Sequence, residues 1–248
     1  MIEITELVCR HADGTVAING LTLTIPDGQF LIICGPNGSG KTTLIRHING
    51  LLKPAAGSIR VDGLDPAAPD NQVRRLVGMV FQDADSQIVG ETVQEDIAFG
   101  PENLGMEDAD IARRVADAMQ QVGLLELAEK PCHLLSGGEK RRLAIAGVLA
   151  MHPRILILDE PFANLDFHGV RQTLQQVLAF HQKGHTVIVT THDVEKVIAH
   201  ADQLAILYRG ELKALGPPAS LVGELANYAI RPPCYSLLGA APVSWLST

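Results

Sequence analysis

A short apolar run that leads directly into a glycine-rich turn restricts the possible folds of this chain more than any other feature. The run Phe30 to Cys34 is typical of a strand that is buried on both faces. It is followed by Gly-Pro-Asn-Gly-Ser-Gly-Lys-Thr at residues 35–42, which fits the phosphate-loop pattern G-x-x-x-x-G-K-S/T. We expect a helix to begin near Lys41 and to end at Asn49 and Gly50. Backbone N–H groups of such a loop, together with the helix dipole, favour a bound phosphate.

The rest of the chain alternates β-rich runs with helical patterns. Antiparallel strands are expected in the first 25 residues, separated by the turn signal Asp13-Gly14. The other expected elements are strands at Ser58 to Asp62, Val77 to Phe81, Arg154 to Leu158 and Thr186 to Thr191, a helix at Asp108 to Val122, and a hairpin turn at Gly210. This order predicts an α/β fold with a mostly parallel sheet flanked by helices. In such sheets, ligands bind at the carboxyl ends of the strands.

Composition excludes several other classes of protein. With 46% hydrophobic residues among 248, the chain can form a large core, and its longest apolar runs are far below the ~18 residues of a membrane-spanning helix. The net charge of −8 disfavours a nucleic-acid partner, which would need a basic surface. The four cysteines show no CxxC spacing, so we expect reduced and largely buried thiols. The first residues lack the features of a secretory signal, which predicts a cytosolic location.

Two adjacent carboxylates follow the apolar run Ile155 to Leu158. Asp159 is suited to support a bound Mg²⁺ ion, and Glu160, which strand alternation turns the other way, is suited to polarise a water molecule. In the glycine-rich loop, Lys41 would reach the β- and γ-phosphates of a nucleotide and Thr42 would bind Mg²⁺. The alternative is that the Asp-Glu pair only ends a strand and caps the next turn. The phosphate loop disfavours that interpretation.

The segment Leu135-Ser136-Gly137-Gly138-Glu139-Lys140-Arg141-Arg142 distinguishes this chain among phosphate-loop proteins. Ser136 and Glu139 have the spacing of a capping box, so one interpretation is simply a helix start. The segment also resembles the signature motif of ATP-binding-cassette (ABC) ATPases, which in that family binds the γ-phosphate held by the opposite subunit. Both interpretations can hold, because an uncovered helix N-terminus carrying a serine and two glycines is an anion site.

Further motifs resemble the same family in the same order, along residues 2–216. Gln82 resembles the Q-loop glutamine, which senses Mg²⁺ and contacts the membrane subunit, Asn164-Leu165-Asp166 resembles the D-loop, and His192 resembles the switch histidine. The resemblance implies ATP and Mg²⁺ as ligands. It assigns catalysis to Glu160, His192 and Gln82, and Mg²⁺ binding to Thr42, Gln82 and Asp159. The implied ATP contacts are Asn37, Gly38, Ser39, Gly40, Lys41, Thr42, Thr43, Ser136, Gly138, Asp166 and His11.

His11 departs from the family pattern. The family usually places an aromatic ring here to stack on adenine, whereas this chain reads Arg10-His11-Ala12. An imidazole can stack on a base but offers less contact area than a phenol ring. We therefore expect weaker recognition of adenine than in relatives that carry the aromatic ring.

The family resemblance also implies a domain organisation. Residues 1–216 would form an ABC ATPase domain, with a helical subdomain inserted at about residues 84–150. Residues 217–248, interrupted at Pro217-Pro218 and Pro232-Pro233, resemble an additional C-terminal segment that is expected to support dimerisation.

The residues that follow Gln82 resemble those of the energy-coupling-factor group, which includes the cobalt and nickel uptake ATPases. This implies ATP-driven import of a small solute, either a metal ion such as cobalt or nickel or a vitamin. The implied partners are a second ATPase subunit, identical or related, a transmembrane coupling protein and a substrate-binding membrane subunit, at the cytoplasmic face of the membrane. One alternative is the ATPase of a conventional importer or exporter, with two larger membrane partners. The other is a soluble ABC ATPase acting on DNA or ribosomes, which usually carries a coiled-coil insertion or a second cassette.

An acidic segment begins just before Gln82. From Leu76 to Ala112 the chain contains nine carboxylates and no Lys, Arg or His. Such a segment can be a solvated helical face, but mixed charges would serve solubility equally well. Because ABC ATPases receive their membrane partner near the Q-loop, we expect Asp83, Asp85 and Glu91 to contact arginine-bearing helices of that partner.

Overall fold

The protein is described by a computed structural model that covers residues 1–69 and 72–247. In these ranges the strands form two sheets, a three-stranded antiparallel sheet and a six-stranded sheet. The strands are β1 (Ile2–Arg10), β2 (Val16–Ile25), β3 (Phe30–Cys34), β4 (Ala56–Val61), β5 (Val77–Val80), β6 (Ile155–Asp159), β7 (Thr186–Thr191), β8 (Gln203–Tyr208) and β9 (Glu211–Gly216). The small sheet has the order β2-β1-β4 and the large sheet β5-β6-β7-β3-β8-β9. Only β9 of the large sheet is antiparallel to its neighbour, so the predicted α/β fold is confirmed.

The helices lie between these strands or follow β9. They are α1 (Lys41–Ile48), α2 (Val73–Leu76), α3 (Val93–Asn103), α4 (Asp108–Val122), α5 (Gly137–Ala150), α6 (Phe167–His181), α7 (Pro218–Leu221) and α8 (Cys234–Leu237). The predictions for α1 and α4 agree with the structure, and α1 stops at Asn49 before Gly50 at φ +68°. α3 was not predicted as a separate helix, although Thr92 and Glu95 form a capping box at its start. Across residues 1–69 and 72–247, no helix combines the length and apolar character needed to cross a bilayer.

The expected strands differ from the structure only at their ends. The strand expected at Ser58 to Asp62 is β4. The strand expected at Val77 to Phe81 is β5, which ends at Val80 because the N–H of Phe81 donates to Oε1 of Gln87 (2.9 Å). The expected hairpin joins β8 to β9 through Arg209 and Gly210, which have φ values of +52° and +78°. Positive φ at both central residues is the geometry of tight hairpin turns.

Two apolar cores lie on opposite faces of the large sheet. One face, which includes Ile32, Leu156 and Val187, packs against α3, α4, α5 and α6. The other face, which includes Ile33 and Ile157, packs against α1 and the small sheet. β3, β6 and β7 are therefore buried on both faces, as their continuous apolar sequences require. The helices between residues 93 and 150 share one core with the sheet.

The carboxyl ends of the central strands meet at one edge of the large sheet. Cys34 at the end of β3 is level with Thr191 of β7, and Asp159 at the end of β6 is level with Thr190. Parallel strands that are in register end at the same edge, where ligands of such folds bind. The residues that follow these strand ends are neighbours for this reason: Gly35, Glu160 and His192.

The C-terminal segment packs on the preceding part of the chain. Leu225 and Ile230 are buried in the core on the helical face of the sheet. The Trp245 ring packs on Phe167 at the start of α6, with ring centroids 5.5 Å apart, and Oγ of Ser244 lies 2.9 Å from Nε2 of His200. Residues 217–247 are thus held on the region that follows both the D-loop-like and the switch-histidine-like motifs.

Candidate active site

The glycine-rich loop is held tightly between β3, β8 and the small sheet. A Cβ atom at Gly35 would lie 2.2 Å from the carbonyl oxygen of Leu207, in β8. At Gly40, φ is +102° and a Cβ would lie 2.6 Å from the carbonyl oxygen of Ala17. Real Cβ atoms do not approach backbone atoms so closely. The fold itself therefore requires glycine at both positions, independently of any ligand.

Lys41 points back into this loop. Its side chain is only 7% exposed, and Nζ donates to the carbonyl oxygens of Gly35 (2.8 Å) and Pro36 (3.2 Å). Burial lowers the pKa of Lys41, and the nearby carboxylates of Glu160 and Asp159 oppose that shift. Nζ lies 3.8 Å from Oε1 of Glu160. The ammonium group is therefore desolvated and held mainly by neutral carbonyls, an arrangement that favours a phosphate anion as a further partner.

Asp159 joins the loop to the neighbouring strands. Its Oδ2 accepts from Oγ1 of Thr42 at 2.8 Å, and its Oδ1 accepts from Oγ1 of Thr190. Thr42 and Asp159 line a cavity of about 680 Å³ together with Gln82 and Asn164. Hydroxyl, carboxylate and amide oxygens are the ligands that Mg²⁺ takes in proteins, so these residues fit a magnesium ion.

Glu160 leaves the strand in an unusual backbone conformation. Its φ is +47°, in the left-handed region that a non-glycine residue occupies at a cost of about 1–3 kcal/mol. The alternation predicted for Asp159 and Glu160 therefore does not apply, because β6 ends at Asp159. Instead, the turn directs the Glu160 carboxylate at the loop. There it accepts hydrogen bonds from Nδ1 of His192 (2.8 Å) and Oγ1 of Thr191 (3.1 Å), and Glu160 is only 7% exposed.

Most of the expected ATP contacts lie in one cleft of about 410 Å³. Its lining includes His11, Gln82, Glu160 and the whole run from Asn37 to Thr43: Asn37, Gly38, Ser39, Gly40, Lys41, Thr42 and Thr43. The cleft thus unites residues separated by up to about 150 positions in the sequence. The Ser39 hydroxyl in the loop is buried and has no hydrogen-bond partner within the described part of the chain. An orphaned buried hydroxyl, desolvated Lys41 and a loop of backbone N–H groups together fit a nucleotide phosphate.

The signature-like residues lie outside this cleft. Ser136 caps α5: its hydroxyl accepts from the N–H of Glu139 (3.3 Å), and Glu139 accepts from the N–H of Ser136 (2.6 Å). That second bond lowers the pKa of Glu139, and the predicted capping box is present. Asp166 likewise caps α6, accepting from the N–H of Gly169 at 2.7 Å. The cleft that contains Lys41 is not lined by Ser136, Gly138 or Asp166.

The glycines at the start of α5 are not required by the fold. A Cβ at Gly137 would meet no atom within 4 Å among the described residues, and one at Gly138 would meet only the Arg142 guanidinium, at 3.9 Å. Neither residue has a positive φ. Glycine in a helix destabilises it by up to about 1 kcal/mol relative to alanine. Packing within the described part of the chain therefore does not account for glycine at these two positions.

Three residues that support the site were missed from the sequence. Thr190 and Thr191 bind the two carboxylates, and only the parallel register of β6 and β7 could have indicated this. Arg141 is 4% exposed and donates to the carbonyl oxygens of Phe81 and Gln82. Arg141 occupies a buried position of α5. A charged residue at a buried helical position indicates a special role, but the position can be recognised as buried only after the helix has been placed.

Comparison with known proteins identifies the class. The family model for ABC transporters matches residues 18–163, and the chain belongs to that family. It is 40% identical over 229 residues to the energy-coupling factor transporter ATP-binding protein EcfA of Methanocaldococcus jannaschii, covering 91% of this chain and 82% of EcfA. The chain is therefore an ABC-type ATPase, and the predicted resemblance to energy-coupling-factor ATPases is confirmed.

Solved structures support the same class. The structure of cbiO1 from Clostridium perfringens, part of the ABC transporter complex cbiONQ, is similar with a TM-score of 0.82 and 35% identity over 96% of this chain and 98% of cbiO1. The ATP-binding cassette MJ0796, solved as a dimer in a post-hydrolysis state with ADP and Pi, is similar with a TM-score of 0.79 and 28% identity, covering 88% of this chain and 99% of the cassette. The chain thus has the expected ABC ATPase fold.

Proposed function

We propose that this chain is the ATP-hydrolysing subunit of an energy-coupling-factor transporter, at the cytoplasmic face of a membrane, that powers uptake of a small solute. The observation that carries the proposal is the similarity to cbiO1 along 96% of the chain, together with the identity to EcfA. The solute would be a metal ion such as cobalt or nickel, or a vitamin. Its contacts would lie on other subunits, so it is the ATPase chemistry that this chain's residues supply.

In the proposed reaction, Glu160 acts as the general base. It takes the proton of a water molecule as that water's oxygen forms a bond to the γ-phosphorus, and the bond to the β,γ-bridging oxygen breaks to leave ADP and phosphate. His192, hydrogen-bonded to Glu160 at 2.8 Å, orients the carboxylate, and Lys41 neutralises charge on the phosphates. Mg²⁺, held by Thr42, Gln82 and Asp159, would neutralise phosphate charge when bound.

The substitution Glu160→Gln tests the base. It preserves side-chain size but removes the carboxylate, so turnover should fall by about 10²–10⁴-fold while ATP binding remains. Steady-state hydrolysis and equilibrium binding of a fluorescent ATP analogue measure the two effects. Glu224→Gln, which changes an exposed carboxylate outside the cleft, is the matched control. Wild-type turnover in Glu160→Gln would assign the role to another group, with Gln82 as the first alternative.

We further infer that two ATPase subunits form composite sites. Ser136, Gly138 and Asp166 lie outside the cleft of their own chain, and the two glycines leave the start of α5 open to an external group. In a dimer, each ATP would be held by Lys41 of one subunit and by Ser136 of the other. The dimeric state of the similar cassette MJ0796 supports this arrangement.

Mixing two inactive variants tests the composite site in a homodimer. Lys41→Ala disables one half of each site, and Ser136→Asp keeps the helix cap but places a carboxylate near the partner's phosphates. A mixed dimer has one site with both defects and one intact site. Random mixing should therefore restore about a quarter of wild-type hydrolysis, since about half of the dimers are mixed. If both variants are inactive alone, absence of any recovery would indicate that the partner is a different chain or that one intact site does not turn over without the other. Activity of Ser136→Asp alone would indicate that each chain hydrolyses ATP by itself.

The proposed contact with the membrane partner is a groove lined partly by the acidic segment that follows Gln82. The groove, of about 460 Å³, is lined by Asp85, Ile88, Gly90, Glu91, Thr92, Pro131, Cys132, His133 and Lys140. The structure sharpens the prediction from the acidic segment, because several of its carboxylates already have partners. Asp85 pairs with Lys140, Asp83 accepts from the N–H of Asp85 (3.1 Å), and Asp96 accepts from the N–H groups of Val89 and Gly90. Glu91 is the candidate that remains for an arginine-bearing helix.

Charge reversal of Glu91 tests this contact. Glu91→Lys should weaken capture of the membrane subunits, whereas Glu107→Lys, at the other end of the same acidic segment, should not. Complex yield after affinity purification from the native membrane is the readout. Equal yields from both variants would remove Glu91 from the interface.

The same purification separates the proposed function from its main alternative. An energy-coupling-factor complex would yield one small coupling protein and one substrate-binding membrane subunit. A conventional importer or exporter would yield two larger membrane partners, and mass spectrometry of the bands would decide.

The C-terminal segment at residues 217–248 remains a predicted dimerisation element. Truncation before Arg231 followed by light scattering tests it.

A further inference from the structure

Arg141 connects α5 to the loop that carries Gln82. Its guanidinium donates from NH1 to the carbonyl oxygen of Phe81 (2.7 Å) and from NH2 to that of Gln82 (2.5 Å). The residue is 4% exposed, and burial lowers the pKa of Arg141 while Asp83 and Asp159 oppose that shift. A buried guanidinium is costly unless its donors are satisfied. Here, two consecutive carbonyls of a loop satisfy two of its nitrogens.

A second side chain, that of Gln87, also holds this loop. Gln87 already fixes the end of β5 from within the loop, accepting from the N–H of Phe81 (2.9 Å) and donating to the carbonyl oxygen of Met79 (3.1 Å). An apolar residue of similar volume at position 141 would fill the core without the desolvation cost of a charge. The bonds from Arg141 therefore add something that Gln87 does not provide, namely a link from the loop to α5.

This link connects two parts of one chain that, in the proposed dimer, belong to two different ATP sites. Gln82 lines the cleft in which the chain's own Lys41 lies. Ser136 caps the same helix five residues before Arg141, a separation of about 7.5 Å along a rigid helix. In the composite site of the proposed function, Ser136 contacts the nucleotide of the other subunit. A second contact, the ion pair of Lys140 with Asp85, reinforces the connection one residue away.

We propose that Arg141 is a positioning residue. When ATP bound in a subunit's cleft sets the position of Gln82, Arg141 transmits that position to the start of α5 in the same subunit. Nucleotide binding in one cleft thereby sets the orientation of Ser136 towards the neighbouring site. The connection between Gln82 and α5 lies within one chain. Its consequence, cooperation of two ATP sites, rests on the proposed dimer.

Amide hydrogen exchange in dilute, monomeric protein tests the link without requiring a dimer. ATP with Mg²⁺ should change exchange in the first two turns of α5, residues 137–144, in the wild-type chain. The change should be lost in Arg141→Met. Arg142→Met is the matched control, because Arg142 is adjacent on the same helix but donates to Gln172 of α6 rather than to the loop. Its ATP response should match that of the wild type.

The outcomes separate the link from a purely structural role. Arg141→Met that folds and binds ATP, yet shows the same exchange response as the wild type, would overturn the proposal. If Arg141→Met does not fold, Arg141→Lys decides: it keeps the charge but reaches a single carbonyl, so the response should be roughly halved, and a full response would overturn the link. Failure of the wild-type chain to bind ATP would instead contradict the proposed function.

A second measurement extends the link to the assembled enzyme. The Hill coefficient for ATP hydrolysis should fall from near two towards one in Arg141→Met and stay near two in Arg113→Met, which changes an exposed arginine paired with Asp110 on α4. A lower maximal rate with an unchanged Hill coefficient would indicate that Arg141 supports stability alone. A wild-type Hill coefficient of one, combined with no recovery in the mixing experiment, would count against the dimer, whereas the exchange result would still stand.

Discussion

The two glycine-containing motifs of this protein differ in what requires their glycines. In the phosphate loop, Gly35 and Gly40 are demanded by the chain's own backbone, since a Cβ would strike the carbonyl oxygens of Leu207 and Ala17. At the start of α5, Gly137 and Gly138 have open space around them and ordinary helical backbone. The first motif is thus complete within one chain. The second leaves open space that, in the proposed composite site, the other subunit's phosphate would fill.

This difference separates stability from activity in a way that substitutions can measure. A methyl group added to the phosphate loop should affect folding and binding together. A methyl group added at the start of α5 should affect only the reaction in the assembled protein.

The largest effect is expected for Gly35→Ala. The new methyl group would lie 2.2 Å from the Leu207 carbonyl oxygen and 2.5 Å from Oγ of Ser39, so β8 or the loop must shift. Overpacking of this kind lowers the free energy of unfolding by about 1–3 kcal/mol, and distortion of the loop should abolish ATP binding. Urea denaturation and nucleotide binding measure the two effects. Gly223→Ala, at a position with open space, is the control and should change neither.

The next effect is expected for Gly138→Ala. Its fold should be as stable as the wild type or slightly more so, because alanine favours a helix. Hydrolysis should fall about 10²-fold, since a misplacement of about 1 Å at a reacting centre has that effect. Thermal unfolding and steady-state hydrolysis are the measurements. Unchanged hydrolysis would show that no phosphate approaches this helix end and would remove the difference between the two motifs.

Substitutions of Ser136 separate its two roles. Ser136→Ala removes the cap of α5 and should lower the free energy of unfolding by about 1 kcal/mol. Ser136→Asp retains a capping oxygen, so stability should return to near the wild-type value while hydrolysis remains low. Denaturation curves of both variants, read beside their activities, test this. Recovery of hydrolysis in Ser136→Asp would mean that Ser136 acts only as a helix cap.

The smallest effect is expected at the edge of the phosphate-loop cleft. His11 is exposed and lines the cleft, and a tyrosine there would offer a larger ring to adenine. His11→Tyr should tighten ATP binding by about two- to fivefold, and His11→Ala should change it little. Calorimetric titration measures both. A large loss of affinity in His11→Ala would show that the imidazole already stacks on the base.

Local pattern was enough to predict the parts of the site that a single segment encodes. The run from Phe30 to Thr42 predicted a buried strand, a loop and a helix, and the order of motifs predicted the family. The turn of Glu160 into a positive φ could not be predicted, because it depends on β6 ending one residue earlier than alternation suggests. The intrachain partner of Asp85 could not be predicted for a related reason: Lys140 lies 55 residues away in sequence and contacts Asp85 only in the fold.

The distribution of thiols has a practical consequence for following this protein in motion. Cys9, Cys34 and Cys132 are buried, and burial raises the pKa of Cys34 to about 12 and that of Cys132 to about 11, so neither is a reactive nucleophile at neutral pH. Cys234 is exposed at the start of α8, and its backbone N–H is donated to Glu195, three residues after His192. A maleimide dye would therefore attach at one place in the unaltered sequence, beside the segment that contains the switch-histidine-like residue. Single-molecule fluorescence could record its movements during turnover without removal of any native cysteine.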